Sequence, residues 1–150
     1  MREGYTSQAK KALAYAVRTA EKCGHNYVGT EHLLIGLLNV EDGTAGMVLT
    51  EFHVDAGQLT ELIDRLIAPG GNTATESRPG YTPRGRRVLE NAEAEAARFK
   101  SRAVGTEHLL IAILKESDCV ATRLLFTMGI NIQKLYSAIL TAMGEAPSQG

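Results

Sequence analysis

The octapeptide VGTEHLLI stands at Val28–Ile35 and again, unchanged, 76 residues later at Val104–Ile111. The same offset keeps producing matches on either side without a gap. Tyr5-Thr6 falls on Tyr81-Thr82, Lys10-Lys11 on Arg86-Arg87, and Leu13, Ala16 and Ala20 on Leu89, Ala92 and Ala96. Beyond the motif, Leu38, Asp42, Ala45, Leu49, Leu59 and Ile63 fall on Leu114, Asp118, Ala121, Leu125, Leu135 and Ile139. A constant register over about sixty residues marks a tandem duplication. Two copies are too few for a solenoid. Each half is also marginal as an independent unit, because a chain of about 65 residues buries too little surface alone. The duplication therefore predicts two similar halves sharing an interface about a pseudo-twofold axis.

Each half reads as four helices. Ala9, Ala12, Leu13, Ala16, Val17 and Ala20 recur at helical spacing, and their small side chains allow close packing. Thr6 is a start signal for that helix and Gly24 a stop; Pro83 directly after Thr82 suits the first helical position of the second copy. A second helix opens at Thr30, and its run EHLLIGLLN is apolar nearly all round, which predicts a central position. A third spans about 44–52. A fourth begins near Asp55 and carries Leu59, Leu62, Ile63, Leu66 and Ile67 on one face. The counterparts lie near 82–100, 106–116, 119–128 and 131–143, and no stretch alternates as a strand does. The expected fold is all-α, two tandem four-helix repeats forming one eight-helix domain. The first repeat covers about 5–68 and the second about 81–143. The run APGGNTATESRPG has linker composition, which places a linker at about 69–80, and GEAPSQG leaves a tail at 144–150.

The composition narrows the function classes. With three Phe, five Tyr and no Trp, the core must be aliphatic. Sixteen basic against seventeen acidic residues leave a net charge of −1, which offers no bulk attraction to nucleic acid or to an anionic membrane. No apolar run approaches a membrane span, and the opening MREGYTSQAKK has no signal-peptide hydrophobic region. Cys23 and Cys119 lack any CxxC spacing and read as free thiols of a reducing, cytoplasmic compartment, with a disulfide between them as the alternative. The chain contains no GxxxxGK[ST] phosphate loop, no GxSxG elbow and no HExxH. A non-catalytic binding domain without metal or cofactor fits these observations better than an enzyme.

The polar half of the motif admits two readings. In one, Thr30 and Thr106 cap their helices, Glu31 and Glu107 complement the helix dipole, and the histidines are incidental. In the other, the glutamates do more, since Asp, Ser or Gln would serve the dipole nearly as well. The helix starts at Thr6 and Thr82 likewise read either as plain caps or as anion sites, where free N–H groups are reinforced by Lys10, Lys11, Arg84, Arg86 and Arg87. Tyr5 and Tyr81, just before these starts, can staple the helix, cover the seam between halves or edge a binding surface.

A duplicated helical repeat with an aromatic-Thr start to each first helix and GTEHLL opening each second helix resembles the N-terminal domain of the Clp family of AAA+ unfoldases. GTEH in both repeats, with YTPR opening the second, is most similar to the ClpC form, and the resemblance covers Tyr5 to Met143. It implies a domain seated on a hexameric ring whose ATPase modules, with their ATP and Mg, lie outside this sequence. Its implied partners are arginine-phosphorylated substrate proteins, adaptors such as MecA or McsB, and the ClpP peptidase through the parent ring. The family's phosphoarginine readers include the motif glutamates, which match Glu31 and Glu107. Phosphoarginine joins a planar cation to a dianion, so a reader needs a carboxylate for the N–H fork and a separate anion site. The carboxylate at Glu31, kept ionised by the helix dipole, or its copy at Glu107 can supply the first. The helix starts of the same repeats, at Thr6 and Ser7 and at Thr82, can supply the second. Pro83 lacks the N–H that Ser7 has, and Arg84 in place of Gln8 offsets that loss, so the two sites are expected to differ. RFKSRAVGTEH lacks the Gly-His-Asn run of KCGHNYVGTEH, and KESDCVATRLL departs from the family pattern. An adaptor-docking or structural module without phosphoarginine recognition is the alternative.

Overall fold

The computed structural model describes residues 4–67 and 80–144. The stretch expected to be a linker and the expected tail lie outside the described residues, apart from Gly80 and Gly144. The first half contains α1 (Ser7–Lys22), a two-residue strand β1 (Tyr27–Val28), α2 (Thr30–Asn39), α3 (Thr44–Glu51) and α4 (Ala56–Leu66). The second repeats the order with β2 (Gly80–Tyr81), α5 (Pro83–Arg98), α6 (Thr106–Lys115), α7 (Val120–Thr127) and α8 (Ile132–Ala142). The fold is all-α in the expected two-times-four arrangement.

The helix starts follow their caps. The Thr6 hydroxyl accepts from the Ala9 amide at 3.1 Å, and the Thr82 hydroxyl accepts from Gly85 at 2.9 Å. Asp55 and Asn131 cap α4 and α8 in the same way. After α1 the chain turns through Gly24 at φ 75°; after α5 the equivalent residue is Lys100 at φ 60°. On α1 the buried stripe is Ala9, Ala12, Ala16 and Ala20, and it meets Gly36 of α2 so closely that a Cβ there would fall on the Ala12 carbonyl oxygen.

Helix α2 is buried along its whole length up to Leu38, and α6 is buried except at Glu107 and Lys115. The two sit at the centre, α2 packing on α6 and α7 and α6 packing on α2 and α3. One aliphatic cluster, including Leu34, Leu37, Leu49, Leu109, Ile111 and Leu125, runs through both halves. Among the described residues no single helix is long and apolar enough to cross a membrane; α2 is apolar because it is core.

The short strands tie the halves together. Strand β1 pairs in parallel with β2, with Val28 opposite Tyr81, and the Thr82 amide donates to the Val28 carbonyl at 3.0 Å. Reciprocally, Tyr5 bridges Val104, and the Thr6 amide donates to the Val104 carbonyl at 2.9 Å. These ladders are too short for alternation to register in the sequence. They lay each half's aromatic-Thr segment beside the other half's motif.

Candidate functional site

Every letter of VGTEH has a distinct job at the start of α2 or α6. Val28 and Val104 accept the strand hydrogen bonds from the opposite half. Gly29 and Gly105, not the threonines, are the N-cap residues. A Cβ on Gly29 would lie 2.5 Å from Glu31 Oε1, and one on Gly105 2.6 Å from Glu107 Oε1. Each glycine therefore leaves room for the carboxylate to fold back over its helix start.

Two expectations for this motif are corrected. Thr30 does not cap its own helix: its hydroxyl accepts from the Ala121 amide of α7 at 3.1 Å, and Thr106 accepts from the Ala45 amide of α3 at 3.2 Å. Neither Cys119 nor Gly43, the N-cap residues of α7 and α3, makes a side-chain cap bond, so each half caps the third helix of the other. The histidines are not incidental either. His32 Nδ1 and His108 Nδ1 each accept from the backbone N–H of the preceding N-cap glycine at 2.9 Å, the N3-to-N-cap half of a capping box.

Cys23, His25 and His32 bring three ligand-type atoms within 4.8 Å of one another. Burial, then electrostatics with the neighbouring His25, push the His32 pKa down to about 3, so the ring is neutral. A neutral ring whose Nδ1 accepts must carry its proton on Nε2, and that nitrogen lies 2.8 Å from His25 Nδ1. Metal-binding imidazoles instead donate their second N–H outward. The cluster is a hydrogen-bond relay that holds the cap. In the second half Ser101 takes the place of His25, 3.2 Å from His108 Nε2.

Glu31 is 2% exposed and no cation pairs with it among the described residues. Burial raises its pKa; a hydrogen bond from its own backbone N–H works the other way without cancelling the rise. The helix start thus does not hold this carboxyl below its ordinary range. Its charge acts outward as well: Tyr27 is pushed up to about 12 by burial, then by Glu31 and Cys23. Glu107 is only half-buried.

Glu31 lines a cavity of about 370 Å³ together with Tyr27, Thr82, Arg84, Asp118 and Cys119. The expected residues Glu31, Thr82 and Arg84 are brought together, across the two halves. That corrects the pairing of Glu31 with the Thr6 helix start. Thr6 and Ser7 belong with Glu107, because Thr6 is hydrogen-bonded to Val104, three residues before it. The exchange follows from the parallel pairing of each aromatic-Thr segment with the opposite motif. Tyr81 pairs with Val28 and Tyr5 bridges Val104, both half-buried against the core, so these tyrosines cover the seam; burial, then Tyr5, raise the Tyr81 pKa.

Tyr27, Cys119 and Asp118 were not singled out from the sequence as site residues. The available signal was the offset itself, which sets Tyr27 against Ala103 and Cys119 against Gly43. Glu116 was also missed. It is buried and holds Arg84 Nε at 3.4 Å and Arg87 Nη1 at 3.1 Å, while Arg84 Nη1 donates to the Ser117 carbonyl at 3.2 Å. Both cysteines are free thiols, Cys23 half-buried and Cys119 buried.

The sequence profile of the Clp repeat (R) N-terminal domain matches residues 4–128 and 100–150. The chain belongs to this family. The ClpC subunit of Staphylococcus epidermidis is 34% identical over 93% of the chain, and the chaperone ClpB of Oceanobacillus iheyensis is 33% identical over 97%. The chain spans only 17% and 18% of the lengths of those two proteins. Among solved structures, the N-terminal domain of ClpD from Arabidopsis thaliana aligns with a TM-score of 0.77 at 21% identity. It covers 93% of this chain and 94% of that one. The Hsp104 N-terminal domain from Candida albicans gives 0.78 at 14% identity, covering 97% and 98%. A ClpV N-domain solved in complex with a VipB peptide gives 0.67 at 19% identity, covering 95% and 89%. The Clp N-terminal domain is a non-catalytic binding domain of Clp ATPases and carries no ATPase module itself.

Proposed function

We propose that this domain recruits substrates and adaptors to a cytoplasmic, ClpC-type ATP-dependent unfoldase coupled to ClpP, and that it recognises phosphoarginine at Glu31 and Glu107. The observation that carries the reading is the Glu31 carboxylate. It is almost fully buried, pairs with no cation among the described residues, and shares one cavity with a helix start and an arginine. A guanidinium satisfies such a carboxylate through its N–H fork. The Thr82 helix start and Arg84 offer an adjacent place for a phosphoryl group. At the copy, Glu107 stands with Thr6 and Ser7. ClpC rather than ClpB rests on GTEH occurring in both repeats. A peptide-bound ClpV N-domain supports peptide capture by this fold. MecA- or McsB-like adaptors and arginine-phosphorylated proteins are the proposed partners, and ATP and Mg belong to the ATPase modules.

A docking domain without phosphoarginine recognition is the second reading. It is favoured by the bond Glu31 accepts from its own backbone N–H, which a purely structural helix-start residue would also make. Calorimetric titration with free phosphoarginine separates the two. The proposal expects saturable binding at about two sites, abolished in the Glu31→Ala/Glu107→Ala protein while its helicity persists. Heat-silent wild type leaves docking alone.

A further inference from the structure

The surroundings of the two motif glutamates differ in one charged layer, and the difference lies in residues that the duplication did not preserve. Around Glu31 the anion side is built from Arg84, whose guanidinium is held in the cavity wall by Glu116 and the Ser117 carbonyl. Glu116 is buried and also grips Arg87, which does not line the cavity. At the equivalent positions of the Glu107 site stand Gln8 for Arg84 and Val40 for Glu116. At these two positions the copy has neither the cation nor the carboxylate that would hold one. Asp118 cannot account for a difference, since Asp42 occupies its place in the other half.

The backbone runs the other way. Pro83 has no N–H, so the start of α5 offers one fewer amide donor to an anion than the start of α1, where Ser7 and Gln8 both carry theirs. A permanently charged, forked guanidinium replaces a neutral amide. Hydrogen bonds from ionised donors are roughly twice as strong as neutral ones, and the fork matches phosphoryl oxygens.

Resting on the phosphoarginine reading above, we infer that Arg84, positioned by Glu116, makes the Glu31 pocket selective for a ligand carrying both a guanidinium and a phosphoryl group. The Glu107 site, with Gln8 and Val40 at the positions of Arg84 and Glu116, distinguishes phosphorylated from plain arginine far less. The opposed charges of Glu31 and Arg84 across one cavity are the complement of that zwitterionic ligand. Glu116 acts through Arg84 as a positioning residue: without it the arginine side chain, which is 43% exposed, is held only by the Ser117 carbonyl.

Single-site proteins test this. Glu107→Ala leaves only the Glu31 pocket, and Glu31→Ala leaves only the copy. Each is titrated with phosphoarginine and with arginine by calorimetry, with helicity and melting checked by circular dichroism. The preference for the phosphorylated ligand should be about tenfold or more greater in the Glu107→Ala protein. Adding Arg84→Gln or Glu116→Gln there should reduce it to the level of the Glu31→Ala protein. Arg84→Gln alters an exposed side chain and serves if Glu116→Gln fails to fold. Installing Gln8→Arg in the Glu31→Ala background should raise it. Equal preference at both sites, or a preference unmoved by Arg84→Gln, overturns the inference and leaves phosphoarginine reading intact. Absence of phosphoarginine binding to either protein and to wild type overturns both.

Discussion

His32 has no exposed surface, and its neutral ring ties the α2 cap to His25. Its folded pKa, about 3, lies below the ordinary value of 6.5. The unfolded chain therefore binds the proton more readily between those values. The stabilising contribution is complete above the unfolded pKa and is lost as pH falls, at about 1.4 kcal/mol per pH unit across the window. Glu31 has the opposite sign, because its raised pKa makes the folded state bind its proton more readily. The His32→Gln protein isolates the histidine: Gln keeps a cap acceptor and does not titrate. Urea unfolding at stepped pH should show a shallower loss between about pH 6 and 4 in His32→Gln than in wild type. Parallel curves would remove His32 from the account. The identity of this residue was legible only as a repeated letter, because a histidine in a capping box carries no stronger sequence signal than an idle one. Glu31 was legible as a candidate because a dipole alone does not demand glutamate twice. Its surroundings were not, since Thr82, Arg84 and Cys119 come to its cavity from the other half.

Helix positions and their starts were readable because their causes are local. Alanine spacing places α1, an all-apolar run places α2, and Thr6, Asp55, Thr82 and Asn131 act within three residues of themselves. The ties between elements were not readable. Thr106 caps α3 across 61 residues of chain and Thr30 caps α7 across 91, and nothing near either threonine announces the partner. This exchange makes a prediction about helices rather than residues. Thr106→Val retains the branched shape on α6 but removes the acceptor for Ala45 of α3. It should cost about 1 kcal/mol in urea unfolding. The same substitution should speed amide hydrogen exchange in the first turn of α3, with little change in the first turn of α6. Faster exchange confined to α6 would return Thr106 to the role of a local cap.

At the scale of the molecule, the duplication yields an interlocked pair, with α2 and α6 central and each half's aromatic-Thr strand laid against the other's motif. The cavity at Glu31 is thus shared by both halves, as the proposed site at Glu107 would be. A half expressed alone would lack the opposing helix start as well as part of its core. The same architecture lets the two pockets diverge, because Arg84 and Glu116 could change without disturbing the core that the repeat preserves.

The most direct measurement is an amide NMR titration of the wild-type domain with phosphoarginine. Two clusters of shifted resonances are predicted, each crossing the halves: Gly29–Glu31 with Arg84 and Gly85, and Gly105–Glu107 with Ser7–Ala9. Shifts that couple Glu31 to the start of α1, or that leave both motifs untouched while the ligand binds, would contradict the account.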